Sequence, residues 1–280
     1  MASLSDWTTV PVTSANLDTV LAVVSDAAYR DDASLITSLT SAGLTQLDLT
    51  GSGTGTYVAG NAAFDAWTTV VNGEPAAIIA FRGTDDIDYN LDGLSAYLGS
   101  EDAAYWLDTK GYYDLLATGV AAFDAAVSAL SVDQVYVTGH SLGGAAAQAY
   151  MAAHPDTTQT SYTAVTFGSL GLFGDGSWST DGRVTNFADA SDFTNSLGAQ
   201  TAGLTITVST GETSASTGLD LATLLSDPAS YLDTHSIDLF AADAAAYDAA
   251  RAGIAATDAT TFFTAKASYN GLTLAVSSSL

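Results

Sequence analysis

Residues 134–153, QVYVTGHSLGGAAAQAYMAA, join a short apolar run to an alanine-rich run through a glycine-rich turn. The first part, 134–138, is typical of a buried strand, and the part from 142 to 153 is typical of a helix. Between them stands the pattern G-x-S-x-G over residues 139–143. A serine on such a strand-to-helix turn forms a nucleophile elbow near the positive end of the following helix. The stretch therefore predicts that Ser141 is a nucleophile.

Strand-like and helix-like runs alternate along the rest of the chain. The predicted strands cover 66–71, 76–81, 161–167, 183–187 and 204–208, and the predicted helices cover 14–30, 33–39, 111–130 and 236–253. Asn72-Gly73 predicts a hairpin turn between the first two strands, and 50–60 has the composition of a surface loop. The alternation indicates an α/β fold with a mostly parallel central sheet flanked by helices. We expect a catalytic domain over 1–255 and a C-terminal appendage over 256–280.

The charge balance restricts the partners of the protein. Its 280 residues carry 31 acidic and 6 basic side chains, which gives a net charge of −25. A chain this acidic repels phosphate backbones and anionic membrane surfaces, so nucleic acid is excluded as a partner. There is no cysteine, which excludes disulfides and a thiol nucleophile. No run of 18 apolar residues occurs, so we predict no transmembrane segment.

A serine nucleophile needs a general base, and the sequence offers 3 histidines. His140 adjoins Ser141, but at that position of the elbow its side chain should point away from the hydroxyl. His154 lies at the far end of the predicted helix, about 20 Å away at a rise of 1.5 Å per residue. His235 remains, and it follows the serine in the order that α/β-hydrolases use. We predict that His235 is the base.

The acid that orients the base should follow a strand between Ser141 and His235. Most acidic residues of the chain are aspartates, so composition alone selects none of them. Position narrows the choice, because the strand at 183–187 is followed by Asp189 and Asp192. Both remain candidates on this reasoning.

Attack of a serine nucleophile on an acyl ester also needs hydrogen-bond donors for the oxyanion that develops on the carbonyl oxygen. Leu142, directly after the predicted nucleophile, can offer its backbone N–H. The second donor should come from the loop after an earlier strand, and FRGTD at 81–85 ends such a strand.

Two segments in combination, FRGTD at 81–85 and TGHSLGGA at 138–145, resemble the class 3 lipase family of α/β-hydrolases. AAY at 27–29, KGYY at 110–113 and NFADASDF at 186–193 support the resemblance. It implies the α/β-hydrolase fold and a serine carboxylic-ester hydrolase.

The resemblance also assigns roles to single residues. Asp192 and the two residues after it occupy the frame in which the family places its acid, which favours Asp192. The Pro-Val that usually follows is missing here, so Asp189 stays open. Family members use the residue matching Thr84 as an oxyanion donor, through its backbone and sometimes its hydroxyl.

We therefore expect a lipase that hydrolyses neutral acylglycerol esters, including at an oil-water interface. The expected course is an acyl-enzyme on Ser141, with His235 as base, Asp192 as orienting acid, and no required cofactor. A soluble esterase and a phospholipase A1 on the same triad are alternatives. A non-catalytic binding protein of the same fold is the alternative outside enzymes.

Residues 86–110 mix acidic with apolar side chains and are expected to form a lid over the site. The alternative is a helix whose apolar stripe packs permanently on the core. Asp88 and Asp92 match the first half of a calcium loop and are candidate ligands for a structural calcium ion. Gly99 stands where an EF-hand has glutamate, so the sequence predicts no EF-hand.

The compartment is predicted from composition alone. The absence of cysteine and the abundance of aspartate suit a protein that is exported unfolded. The apolar, serine-rich tail 262–280 could hold an unprocessed C-terminal signal, so we expect an extracellular protein. A cytoplasmic protein of a high-salt organism has a similar composition and is the alternative.

Overall fold

The computed structural model describes residues 11–29, 33–84, 101–173, 178–189, 192–209, 235–254, 267–269 and 272–278. Within these residues the strands are β1 (Thr45–Gln46), β2 (Thr56–Ala59), β3 (Ala62–Val71), β4 (Glu74–Phe81), β5 (Gln134–His140), β6 (Ser161–Phe167), β7 (Asp181–Asp189), β8 (Ala202–Ser209), β9 (Ala267–Tyr269) and β10 (Leu272–Ser278). The α-helices are α1 (Leu17–Ala27), α2 (Ala33–Ser41), α3 (Thr109–Leu115), α4 (Ala117–Leu130), α5 (Leu142–Ala153) and α6 (Ile237–Ile254). Short 3₁₀ helices cover Glu101–Leu107 and Phe193–Ser196.

The strands belong to one sheet in the order β1-β3-β4-β5-β6-β7-β8-β10-β9, and β2 also pairs with β3. Strands β4 to β8 are parallel, whereas the strands outside them pair antiparallel. The mostly parallel central sheet predicted for an α/β-hydrolase fold is confirmed. Because parallel strands end at one edge, the segments that follow β4, β5 and β7 begin near one another.

Helices cover both faces of the sheet, and each face has its own apolar core. On one face α1, α2 and α6 pack around Leu21, Phe187 and Phe240. On the other face α3, α4 and α5 pack around Phe81 and Tyr150. Burying a large apolar side chain contributes about 1.5–3 kcal/mol. These two layers therefore stabilise the strand ends from which the polar site is built.

The turn between β3 and β4 has the predicted form. Asn72 and Gly73 have positive φ angles of 53° and 93°. A two-residue hairpin of type I′ requires positive φ at both central residues, and asparagine followed by glycine tolerates it best. The predicted hairpin is confirmed.

Two other local predictions are wrong. Residues 56–59, expected within a surface loop, form β2, because the long strand β3 offers backbone groups to which this segment pairs. The helix predicted over 111–130 is two helices that meet at the buried Leu116 and are inclined by 62°. The bend lets both α3 and α4 bury side chains in the same core, for example Tyr112 and Phe123.

Other predictions fall wholly or partly outside the described residues. Most of the expected lid, with Asp88 and Asp92, lies in 85–100. Within the expected appendage, β9 and β10 extend the sheet next to β8, while its boundary and its role in export stay predictions. Among the described helices, none alone is long and apolar enough to cross a membrane, and α3 with α4 passes that test only as a bent pair.

Candidate active site

The turn between β5 and α5 is a strained elbow. Ser141 has a positive φ of 59° with ψ at −125°, a conformation that few residues other than glycine adopt. A Cβ on Gly139 would lie 2.3 Å from the carbonyl oxygen of Gly143, and a Cβ on Gly143 would lie 2.1 Å from that of Phe81. Both flanking positions therefore require glycine, and the tight turn presents the serine side chain at the edge of the sheet.

Three side chains from separate parts of the chain form a hydrogen-bonded array there. Ser141 Oγ lies 2.8 Å from His235 Nε2, and His235 Nδ1 lies 2.8 Å from Asp192 Oδ2. Asp192 follows β7, and His235 stands just before α6. A carboxylate only accepts hydrogen bonds, so Nδ1 carries the hydrogen and Nε2 is free to accept the serine proton.

Asp192 is held in place by the loops around it. Its side chain is fully buried, and Oδ1 accepts the backbone N–H of Thr194 at 2.9 Å. The Thr194 hydroxyl donates in turn to the carbonyl of Gly168, directly after β6, at 3.1 Å. A Cβ on Gly168 would come within 2.8 Å of Asp192 Oδ2, so this glycine leaves room for the carboxylate.

Asp189, the other candidate acid, takes part through its backbone. Its carbonyl accepts the N–H of Asp192 at 3.1 Å and the side-chain amide of Asn195 at 2.6 Å. The backbone of Asp189 thus helps to hold Asp192 beside His235. The catalytic role of Asp192 stays a prediction.

The two predicted oxyanion residues lie at the ends of adjacent strands. β4 and β5 run parallel with Phe81 opposite Gly139, so Thr84 and Leu142 follow at the same edge. Leu142 is the first residue of α5, where a backbone N–H has no partner within the helix. Their roles as donors stay predictions.

Residues 78–176, which include β4, the elbow and α5, match the family model described as Lipase (class 3). The similarity to the class 3 lipase family thus covers residues 78–176. This places the chain among the carboxylic ester hydrolases, as a lipase or a related ester hydrolase.

Several solved lipase structures are similar to the chain at low identity. Lipase II from Rhizopus niveus is 15% identical over 69% of this chain and 80% of its own, with a TM-score of 0.45. The lipase from Rhizopus microsporus var. chinensis is 13% identical over 81% of this chain and 85% of its own, with a TM-score of 0.45. A Yarrowia lipolytica lipase is 13% identical over 69% of this chain and 78% of its own, with a TM-score of 0.43. No curated protein matches the chain.

His140 bonds the backbone of the predicted base. Its Nε2 lies 2.8 Å from the backbone carbonyl of His235, and its Nδ1 lies 2.9 Å from the hydroxyl of Tyr29. A carbonyl only accepts, so Nε2 carries the hydrogen and Nδ1 accepts from Tyr29. Burial, together with the neighbouring His235, lowers the pKa of His140 well below its usual value, which keeps the ring neutral. Sequence reasoning placed His140 only as a neighbour of Ser141 and missed this contact.

His154 lies at the other end of α5 and has partners of its own. Its Nδ1 bonds the carbonyl of Tyr150 at 2.7 Å, and its Nε2 lies 3.0 Å from a carboxylate oxygen of Asp124 on α4. Burial alone would lower the pKa of His154, but the bonds to Asp124 and Tyr150 outweigh it and raise the pKa. These contacts join α4 to α5 at the end of α5 remote from Ser141.

The side chains that could ligate a metal are scattered in the described part of the chain. There, no group of three or more histidine, aspartate or glutamate side chains could hold a metal ion. The candidate calcium ligands Asp88 and Asp92 lie outside those residues, so the calcium ion stays a prediction.

A buried carboxyl group on α6 should make stability depend on pH. Asp243 is fully buried, and neither of its carboxylate oxygens has a hydrogen-bond partner in the described part of the chain. Burial, and to a lesser degree the nearby Asp189, raises the pKa of Asp243 from 3.8 to about 7. Between these values the native state keeps a proton that the unfolded state releases, so stability falls as pH rises across the interval.

We expect Asp243→Asn to stabilise the protein at pH 8, where it removes the cost of a buried charge, and to change stability little near pH 4. The raised pKa of Asp243 corresponds to a change in the free energy of unfolding of up to about 4 kcal/mol. Urea unfolding at both pH values measures it, with the exposed Asp238 of the same helix, changed to asparagine, as control. An equal effect at both pH values would contradict the assignment.

Proposed function

We propose that the protein is a lipase that hydrolyses neutral acylglycerol esters through an acyl-enzyme on Ser141. The observation that carries the proposal is the unbroken array from Ser141 through His235 to Asp192, with 2.8 Å at each step. Such spacing suits a nucleophile, a general base and an orienting acid. The family of residues 78–176 supports the same reaction class.

The proposed reaction has two halves. His235 Nε2 takes the proton of Ser141 while Oγ attacks the ester carbonyl carbon, and the carbonyl oxygen becomes an oxyanion held by Leu142 and Thr84. The ester C–O bond then breaks, and the leaving alkoxide takes the proton from His235. Water attacks the acyl-enzyme with His235 again as base, which releases the fatty acid and restores the serine. Asp192 stabilises the imidazolium in both halves.

The elbow contributes electrostatically as well as by position. Ser141 stands at the N-terminus of α5, where the helix dipole favours negative charge on the substrate oxygen. The buried carboxylate of Asp192 lies on the far side of His235 from the serine. Asp192 thus stabilises a positive charge on the His235 ring from one side, while the other side of the ring exchanges a proton with Ser141.

Charge and apolar exposure support neutral lipid as the substrate. The net charge of −25 repels anionic lipid and assists departure of the fatty-acid product. Leu107, within the segment predicted as the lid, is 71% exposed, and Leu115, which follows that segment, is 39% exposed. Exposed leucines at this place suit contact with an oil surface.

Rates on matched esters test the proposal. Triacylglycerol emulsions should be hydrolysed faster than the same ester below its solubility limit, and neutral lipid faster than anionic phospholipid at low salt. The preference for neutral lipid should fade as salt screens the field. A fluorophosphonate should label Ser141 and abolish all of these activities.

The alternatives predict other results. A soluble esterase would gain nothing from an emulsion, and a phospholipase A1 would prefer phospholipid at every salt concentration. A binding protein of the same fold would leave Ser141 unlabelled.

A further inference from the structure

The loop that carries Thr84 is held by a short stretch that lies later in the chain. The indole Nε1–H of Trp106 donates to the Thr84 hydroxyl oxygen at 2.9 Å. The hydroxyl of Tyr112 donates to the carbonyl of Arg82, two residues before Thr84, at 2.7 Å. Both the backbone and the threonine side chain of this loop are therefore fixed from residues 106–112.

The chemistry of the two groups sets the direction of the threonine proton. An indole N–H can only donate, whereas a hydroxyl has one hydrogen and two acceptor positions. Trp106 therefore occupies an acceptor position of Thr84 Oγ1, and the hydroxyl hydrogen points away from the indole. Within the described residues no acceptor takes that hydrogen, so it is free to meet a substrate oxygen.

We propose that Trp106 is a positioning residue that directs the Thr84 hydroxyl hydrogen toward the ester oxyanion. This inference rests on the proposed function, because it concerns one donor of the same site. The indole would act through Thr84 and touch no reacting atom.

The packing of Trp106 stabilises its contact with Thr84. The side chain belongs to the 3₁₀ helix Glu101–Leu107 and packs, with Tyr105, against the core that α3, α4 and α5 share. The rings of Tyr105 and Tyr112 meet edge to face, with centroids 5.7 Å apart. The residue before Trp106 is thus packed on Tyr112 of α3, the same side chain that bonds the loop of Thr84.

Removal of the indole N–H should weaken the stabilisation that the Thr84 hydroxyl gives to the oxyanion. Without it the hydroxyl can rotate among its staggered positions, and only some of them point at the oxyanion. A whole donor contributes about 10²–10³ in kcat, so we expect Trp106→Phe to lower kcat about 10-fold. KM should change less than twofold, because the ground-state ester gains little from this bond.

A double-mutant cycle tests the proposal on a soluble nitrophenyl ester. Trp106→Phe is combined with Thr84→Val, which removes the hydroxyl but keeps the backbone N–H, and with Thr84→Ser, which keeps both. The loss should appear in the wild type and in Thr84→Ser, and vanish in Thr84→Val. Trp106→Leu also lacks the indole N–H and brings no other donor, so it must give the same pattern, which guards against one variant that fails to fold. Fluorophosphonate titration supplies the concentration of active enzyme.

Two outcomes would overturn the proposal: an unchanged kcat in both Trp106 variants, or an equal loss in the Thr84→Val background, which would mean a packing effect. Failure of the proposed function looks different, because the wild type itself would then leave Ser141 unlabelled and hydrolyse no ester.

Discussion

Replacing Ser141 by alanine should lower kcat for a soluble nitrophenyl ester by about 10⁴- to 10⁶-fold. The array from Asp192 through His235 ends on this hydroxyl, so without it the base has no nucleophile to activate. The fold should remain, because alanine suits the positive φ of the elbow no worse than serine does. Kinetics of the purified variant, with its circular dichroism spectrum, measure both expectations.

A second histidine variant provides the control for this experiment. His154→Ala removes the bonds to Asp124 and Tyr150 at the far end of α5, so it should reduce stability and leave kcat within about twofold. Retention of more than a tenth of the wild-type kcat in Ser141→Ala would mean that another group is the nucleophile.

Replacing Asp192 by asparagine should lower kcat by about 10⁴-fold, because an amide no longer holds His235 in the tautomer that accepts the serine proton. Asp192 Oδ2 lies 2.8 Å from His235 Nδ1, and this bond would be reversed or lost. The loss should be largest at neutral pH and appear in kcat per titrated active site.

Asp189→Asn is the matched control, since it changes the same atoms three positions earlier. The backbone contacts that Asp189 gives to Asp192 and Asn195 survive the substitution, so kcat should fall less than 10-fold. A larger loss in Asp189→Asn than in Asp192→Asn would reverse the assignment of the acid.

The elbow could be predicted because its signal is local. Glycines at 139 and 143 are forced by contacts with Gly143 and Phe81, and a turn of this kind leaves few other residues possible. The helix break at Leu116 could not be predicted, because the run around it has a continuous helical pattern. The core, rather than the sequence near Leu116, selects the bend.

The acid and the supporting residues show why the rest of the site escaped sequence reasoning. Asp189 ends β7 and Asp192 lies three residues further on, and it is the carboxylate of Asp192 that the fold brings to His235. Trp106 meets Thr84 across 22 residues of chain, and His140 meets His235 across 95, so no periodicity signals either contact.

The position of the candidate site in the sheet has a consequence for folding. Thr84, Ser141 and Asp192 follow β4, β5 and β7, and His235 stands before α6, so the reactive groups come from parts of the chain more than 150 residues apart. Parallel strands with long connections pair late and slowly. Ester turnover would then appear only when the central strands have paired in their final register. After dilution from urea, the recovery of turnover should lag behind the recovery of the helical circular dichroism signal.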